Sequence, residues 1–210
     1  SGPMRGRSYR VEAQRRMSRS PGHSDQRSGG HAGLSGWRLQ EVPQHFCPRR
    51  QYRREDTVRV LENIEPRKVM YFFEELSARH RCSQHEKHAT DWIADFATAR
   101  GLTYHRDALD NIIVKKPGTA GYENAPAVIL HGHIDMVCKL EDGVTHDFAK
   151  DGVKLKVDGN FIRAEGTTLG ADNGLGISYM LTLLDSTDIP HPPLECVMTV
   201  MEEMGKVGGD

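Results

Sequence analysis

A histidine and an aspartate two residues apart follow a short aliphatic run in this sequence: His133 and Asp135. At this spacing the imidazole can bind a metal ion while the carboxylate orients the ring, or the reacting water, and fixes the tautomer. A histidine that is only hydrogen-bonded at the end of a strand would give the same pattern. This segment alone therefore leaves a metal ligand and a structural histidine as alternatives.

An aspartate between glycines marks a second segment, residues 166–174. Glycine on both sides of Asp172 lets the backbone turn sharply and approach closely, so that the carboxylate could bridge two cations. The alternative is an Asx turn or helix N-cap made by Asp172 or Asn173. A phosphate-binding loop is not favoured, because the segment lacks both the G-x-x-x-x-G-K-[ST] pattern and a well-placed G-x-G-x-x-G after a strand.

Two adjacent glutamates, Glu202 and Glu203, follow the last predicted strand. Neighbouring carboxylates repel each other unless cations or hydrogen bonds compensate them, so a metal ion is a natural partner. The alternative is an exposed acidic pair on a loop.

The three segments together predict more than any one of them. His133, Asp172 and Glu203 form an N/O ligand set that suits Zn²⁺ or Mn²⁺. Asp135 and Glu202 then match the carboxylate that orients a ligand and the general base that metal-assisted hydrolysis needs. We therefore predict a hydrolytic metal centre.

These segments must be positioned by helices and strands whose signals alternate along the chain. The first helix should begin near Pro66 and end near Ala78. The second is predicted from the capping-box spacing of Ser83 and Glu86 to the C-terminal Gly101. A third should open in the glycine-rich residues 170–176 and end near Leu184. The strands are predicted at residues 102–106, 111–115, 127–130, 154–157, 161–164 and 194–201, with a hairpin turn at 158–160 and with 127–130 as a buried strand. Such alternation predicts an α/β fold with a mixed sheet flanked by helices.

The composition of the chain does not indicate a membrane-spanning protein. The net charge is −1, 27% of the residues are charged, and no apolar run approaches the roughly 18 residues that span a bilayer. We therefore expect no membrane insertion and a cytoplasmic location. The four cysteines are scattered without a C-x-x-C pair, which predicts free thiols in a reducing compartment.

Residues 1–54 differ sharply from the rest of the chain. They contain twelve Arg, no Lys and three acidic residues, a net charge of +9, which leaves −10 for the remainder. Seven Gly, seven Ser and four Pro, with sparse apolar residues, predict a disordered tail. A nucleic-acid-binding arm is not favoured, because few aromatic residues are interleaved for base stacking.

The sequence resembles the aminoacyl-histidine dipeptidase family, also called cytosol non-specific dipeptidase or peptidase D, of the co-catalytic zinc aminopeptidase and deacetylase superfamily. The resemblance covers about residues 58–210. It is carried by the Asp-Met-Val that follows Ile134 and by the motifs at residues 110–112, 116–121, 146–148, 166–174 and 191–195. Residues 55–210 are accordingly expected to be the N-terminal part of a metallopeptidase catalytic domain.

The resemblance implies a set of roles. His133 would bind one of two divalent ions, Asp172 would bridge both, and Glu203 would bind the other; zinc is expected, with manganese or cobalt as alternatives. Asp135 would orient His133, and Glu202 would be the general base. The implied substrates are dipeptides, Xaa-His among them, and the implied assembly is a homodimer. His131, His146 and His191 match no ligand position, and we assign them to structure.

The family pattern also requires a later acidic ligand, a last histidine ligand and an inserted domain, none of which is present in these 210 residues. We therefore expect a truncated fragment that binds metal poorly and hydrolyses little. Two other functions remain as alternatives: a metal-dependent amidohydrolase acting on N-acyl amino acids, and a non-catalytic remnant with a basic arm that binds nucleic acid.

Overall fold

The computed structural model describes residues 59–205. The predicted disordered tail and its alternative as a nucleic-acid-binding arm, residues 1–54, lie outside the described residues. The mixed α/β class predicted from the sequence is confirmed.

The three longer helices lie where the sequence predicts them, and the first two each bury an apolar face. Helix α1 spans Arg67–Ser77 and helix α2 spans Lys87–Ala99. After α2, Gly101 adopts a left-handed φ of +65°, the conformation that ends helices at glycine. The helix that follows the glycine-rich segment, Ala171–Asp185, is α4, and the single turn Phe148–Asp151 is α3.

Four strands form one sheet in the order β1-β2-β6-β3: β1 is Thr103–Arg106, β2 Ile112–Lys116, β3 Val128–His133 and β6 Leu194–Thr199. Strands β1, β2 and β6 pair antiparallel, whereas β3 pairs parallel with β6. A separate antiparallel hairpin joins β4 (Leu155–Asp158) to β5 (Phe161–Ala164) through the predicted tight turn. Because β3 and β6 run in the same direction, their carboxyl ends lie side by side at one end of the sheet.

The main core lies between the sheet and helices α2 and α4. Alternate residues of β2 and β6 are buried against these helices, among them Ile112, Val114 and Met198. Helix α1 packs on α4 and contributes Phe72 and Leu76 to the same core. Within residues 59–205, no helix is long and apolar enough to cross a membrane.

The prediction of a buried strand at residues 127–130 is wrong. The strand extends to His133, and Ile129 is 65% exposed. The reason is topological: β6, the last strand in sequence, lies inside the sheet, and β3 forms the edge of the described sheet. A short aliphatic run indicates that a segment favours a β-strand. It does not indicate whether that strand lies at the edge or in the centre of the sheet.

The prediction that all the cysteines are free thiols is also wrong. Cys82 and Cys138, 56 positions apart in sequence, form a disulfide with their Cα atoms 5.5 Å apart. A parallel bridge between Cys82 and Met136 brings the two segments together. Cys196 is free and buried, and Cys47 lies outside the described residues. The cysteines therefore do not support a reducing compartment.

The predicted capping box at the start of α2 does not form. The N-cap position belongs to Glu86 itself and has no side-chain capping hydrogen bond. Ser83 instead donates its hydroxyl to the carboxylate of Asp135, 2.7 Å away. Both polar side chains are thus directed toward the end of the sheet rather than toward the helix.

Candidate metal centre

Three separate elements bring three of the predicted residues together at the carboxyl ends of β3 and β6. His133 is the last residue of β3, Asp172 lies in the first turn of α4, and Glu203 lies in a 3-10 turn, Glu202–Met204, that follows β6. One ligand atom from each of the three lies within 4.8 Å of the other two. This group is the only such cluster of ligand residues among residues 59–205.

The His133 ring is held in one orientation. Its Nδ1 lies 3.1 Å from the backbone oxygen of Asp135 and 3.4 Å from Oδ1 of the same residue. An N–H at Nδ1 donates toward these acceptors, which leaves the Nε2 lone pair free for a ligand role. Nε2 lies 3.1 Å from Oδ1 of Asp172 and 4.0 Å from Oε2 of Glu202.

Asp135 is fully buried, and its carboxylate is surrounded by donors. Oδ1 accepts the backbone N–H of Glu202, and Oδ2 accepts the backbone N–H of Glu203 together with the Ser83 hydroxyl. Burial alone would raise the pKa of Asp135. The hydrogen bonds from His133, Ser83 and the two backbone groups outweigh burial and lower it. One carboxylate therefore orients the histidine and also anchors the glutamate pair.

The turn after β6 is fixed by side chains from earlier in the chain. Four consecutive backbone N–H groups donate at 2.9–3.1 Å: Val200 to Asn111, Met201 to Glu86, and Glu202 and Glu203 to Asp135. Each N–H would otherwise be left without a partner where the chain leaves the sheet. The turn that carries both glutamates is thereby fixed beside His133.

Asp172 reaches the centre because two backbone segments approach closely. The backbone is non-helical at Asp172 and Asn173, so the regular part of α4 follows them. The Asp172 carboxylate faces His133 and is 85% exposed. The peptide bond between Asp172 and Asn173 is cis. A β-carbon on Gly132 would lie 2.9 Å from Oδ1 of Asn173, closer than real contacts allow. Glycine before His133 therefore leaves room for the Asn173 side chain at the start of α4.

The centre attracts positive charge. The hydrogen bond to Asp135 and the one to Asp172 raise the pKa of His133 to about 9, against burial, which would lower it. At neutral pH the metal-free site thus holds a proton on His133 among several carboxylates. A group of carboxylates that stabilises a proton in this way also favours a divalent cation, for which the same atoms are suitable ligands.

The other histidines considered from the sequence lie outside the group of three ligands. His131 is exposed, with Nε2 3.3 Å from Oγ1 of Thr199, and the His146 ring packs edge-on against Phe148. His191 is buried and hydrogen-bonded to the backbone. Sequence reasoning missed Ser83 and Glu86 as parts of the site, although their spacing had drawn attention to them as a cap.

No protein-family model matches the sequence. A curated relative, the cytosol non-specific dipeptidase of Escherichia coli (strain K12), is 37% identical over 148 residues, which are 70% of this chain and 30% of that protein. The chain therefore spans about 30% of the length of this relative.

Solved structures of peptidases are also similar to this chain. An aminoacylhistidine dipeptidase from Vibrio alginolyticus superposes with a TM-score of 0.69 at 38% identity, covering 70% of this chain and 30% of that one. A tripeptidase from Staphylococcus aureus superposes with a TM-score of 0.55 at 25% identity, covering 67% and 38%. The resemblance to aminoacyl-histidine dipeptidases that the motifs indicated is thereby confirmed, and by family this chain is related to enzymes that hydrolyse peptide bonds.

Proposed function

We propose that this chain carries part of the catalytic centre of a metal-dependent dipeptidase, acting on Xaa-His and other dipeptides. One observation supports the proposal above all: three residues that the sequence separates by up to 70 positions converge within 4.8 Å as one histidine nitrogen and two carboxylates. This donor set fits a divalent ion that binds N and O ligands and keeps a position open for substrate.

His133, Asp172 and Glu203 would hold the ion. His133 Nε2 and Asp172 Oδ1 are 3.1 Å apart, close to the roughly 3.4 Å expected for two ligands at a tetrahedral zinc ion. Asp172 and Glu203 are both exposed, so that their oxygens are accessible to an ion arriving from solvent. The family resemblance instead divides these residues between two ions, with His133 on one, Glu203 on the other and Asp172 shared. Filling both positions would need donors beyond these three.

When bound, the ion supplies Lewis acidity toward the peptide carbonyl and lowers the pKa of water toward neutrality. Glu202 is the proposed general base: it would accept the proton from the attacking water and deliver it to the leaving amine. Its backbone is fixed by Asp135, while its side chain is about one-third exposed and has Oε2 4.0 Å from His133 Nε2. Asp135 keeps His133 in the tautomer that presents Nε2.

The remaining parts of the proposal rest on the family resemblance. Zinc is the proposed metal, with manganese and cobalt as alternatives, since N/O sites accept each of them. A cytoplasmic location is proposed from the name of the E. coli relative alone, a cytosol dipeptidase, since the Cys82–Cys138 disulfide gives it no support. A homodimer is proposed for the family assembly.

Calorimetric zinc titration of the 210-residue chain tests the ligand set. Zinc binding should disappear in Asp172→Ala and persist in Asp188→Ala, which removes an exposed aspartate at the far end of α4. Equal binding in both variants would contradict the assignment. On the dipeptide Ala-His, turnover that persists in Glu202→Gln would contradict the general-base role.

A further inference from the structure

Arg81 is a buried cation beside the proposed metal centre, and neither the motifs nor the ligand set includes it. Its side chain is among the largest fully buried ones, with the residue only 1% exposed. Burying a guanidinium is costly unless strong acceptors surround it. Burial lowers the pKa of Arg81 to about 10 although the nearby Asp135 charge raises it, so the side chain remains charged at neutral pH.

The guanidinium joins the two segments that carry His133 and Asp172. Nη1 donates to the backbone oxygen of Ile134, 3.1 Å away, and Nη2 donates to the backbone oxygen of Gly170, 2.6 Å away. Ile134 stands between His133 and Asp135, and Gly170 stands two residues before Asp172. One side chain thus links both proposed ligands through their neighbouring carbonyl groups.

The backbone of the same residue holds the first of these segments as well. The Arg81 carbonyl accepts the N–H of Met136 at 3.0 Å. The neighbouring Ser83 hydroxyl binds Asp135, and Cys82 is disulfide-bonded to Cys138. Residues 81–83 therefore run alongside the segment after β3 and bind it through backbone, side-chain and disulfide contacts. The Arg81 side chain extends from these residues toward α4.

The position of the Arg81 side chain also explains why two residues of the motif at 166–174 are glycine. A β-carbon on Gly170 would lie 2.5 Å from Arg81 Nη2, and one on Gly174 would lie 2.8 Å from the same atom. Gly170 additionally has a φ of +68°, which disfavours other residues. The space that these glycines leave is filled by the guanidinium.

We propose that Arg81 is a positioning residue of the metal centre, whose guanidinium sets the distance between His133 on β3 and Asp172 on α4 by bridging the Ile134 and Gly170 carbonyls. The inference rests on the proposed function, because it assigns Arg81 a role toward the metal that those residues would hold. A planar guanidinium offers two donors in fixed directions, whereas a lysine ammonium offers a point charge that cannot reproduce both contacts.

The test compares Arg81→Met and Arg81→Lys with the wild-type 210-residue chain. The measurements are the zinc Kd by calorimetry, the visible absorption spectrum of the Co²⁺-loaded chain and the Tm of the metal-free chain. Both variants should bind zinc about 10- to 100-fold more weakly, the loss typical when a residue supporting metal ligands is removed, and both should change the Co²⁺ spectrum. Wild-type zinc affinity in Arg81→Lys would overturn the proposal, because positive charge alone would then suffice.

Arg106→Met is the matched control. Arg106 on β1 bridges Asp91 and Asp110 and forms no hydrogen bond with the proposed ligands in the described residues. Its loss should lower the Tm and leave the zinc Kd and the Co²⁺ spectrum unchanged. If Arg81→Met lowers the Tm but behaves like Arg106→Met in both metal measurements, Arg81 is only structural and the inference fails. If the wild-type chain itself binds no zinc, the proposed function fails instead.

A second comparison keeps the inference testable if Arg81→Met does not fold. Gly174→Ala places a β-carbon against Arg81 Nη2, so it should displace the guanidinium and weaken zinc binding. Gly159→Ala in the β4–β5 turn is the control for the glycine substitution, since its β-carbon would meet nothing within 4 Å. In Arg81→Lys, whose side chain is shorter, Gly174→Ala should weaken zinc binding by a smaller factor than in the wild type. An equal factor in both backgrounds would overturn the inference.

Discussion

Replacing Asp135 with Asn is the most informative single change, because the carboxylate joins three parts of the centre. Its two oxygens accept hydrogen bonds from Ser83 and from the backbone N–H groups of Glu202 and Glu203, and they lie next to His133 Nδ1. Asparagine has nearly the same shape. It replaces one accepting oxygen by an NH₂ group, which is a donor.

The expected cost follows from those contacts. In either orientation of the amide, its NH₂ group faces a backbone N–H donor, so at least one buried donor loses its partner at about 1–3 kcal/mol. The hydrogen bonds that remain become neutral and are weakened by roughly half. We expect the free energy of unfolding of the metal-free chain to fall by about 3 kcal/mol. Zinc binding should weaken by about 10- to 100-fold, because the turn that carries Glu203 is less firmly anchored and the charge beside His133 Nδ1 is lost.

Urea unfolding and zinc calorimetry measure the two effects separately. Ser83→Ala removes only one of the hydrogen bonds to Asp135, so it should cost about 1 kcal/mol. Asp158→Asn is the matched control at an exposed hairpin position, where the surface ion pair with Arg163 is worth little. An unfolding free energy of Asp135→Asn within 0.5 kcal/mol of the control, with an unchanged zinc Kd, would refute the role given to this carboxylate.

Three further predictions follow from the same structure. Because the pKa of His133 is raised to about 9, this group stabilises the metal-free chain fully below pH ~6.5, and the stabilisation is lost as the pH rises through 9. Zinc must displace the same proton, so the zinc Kd measured by calorimetry should fall about tenfold per pH unit between pH 6 and 7.5. A Kd that does not change with pH would argue against His133 as a ligand. Reducing the Cys82–Cys138 disulfide, which closes a 56-residue separation, should lower the free energy of unfolding by about 4 kcal/mol in urea titrations with and without reductant, and no change would contradict the pairing. Gly132→Ala should push Asn173 away and weaken zinc binding, whereas Gly143→Ala, where a β-carbon meets nothing within 4 Å, should lower the Tm without changing the zinc Kd.

The secondary structure was largely predictable from the sequence, because each element has a local signal. The apolar stripe of α2, the glycine after it and the tight turn between β4 and β5 all lie within a few residues of the elements that they define. The proposed ligands were predictable for a similar reason: His133, Asp172 and Glu203 stand where a strand ends or a helix begins.

What the sequence could not predict depends on contacts between distant residues. Ser83 and Glu86 have the spacing of a helix cap, but buried acceptors and donors at the end of the sheet compete for them. The disulfide and the exposed edge of β3 depend on which segments become neighbours, and local composition carries no information about that. Arg81 stands in no recognisable motif, because its partners are backbone carbonyls 53 and 89 positions away.

The most direct test of the metal centre is a crystal structure of the zinc-loaded chain, with anomalous data collected on both sides of the zinc absorption edge. We expect one anomalous peak among His133 Nε2, an Asp172 oxygen and a Glu203 oxygen, with bond lengths of about 2.0–2.2 Å. A peak elsewhere, such as at the stacked rings of His80 and His85, would contradict this expectation, and so would ordered side chains at these three residues without any peak between them.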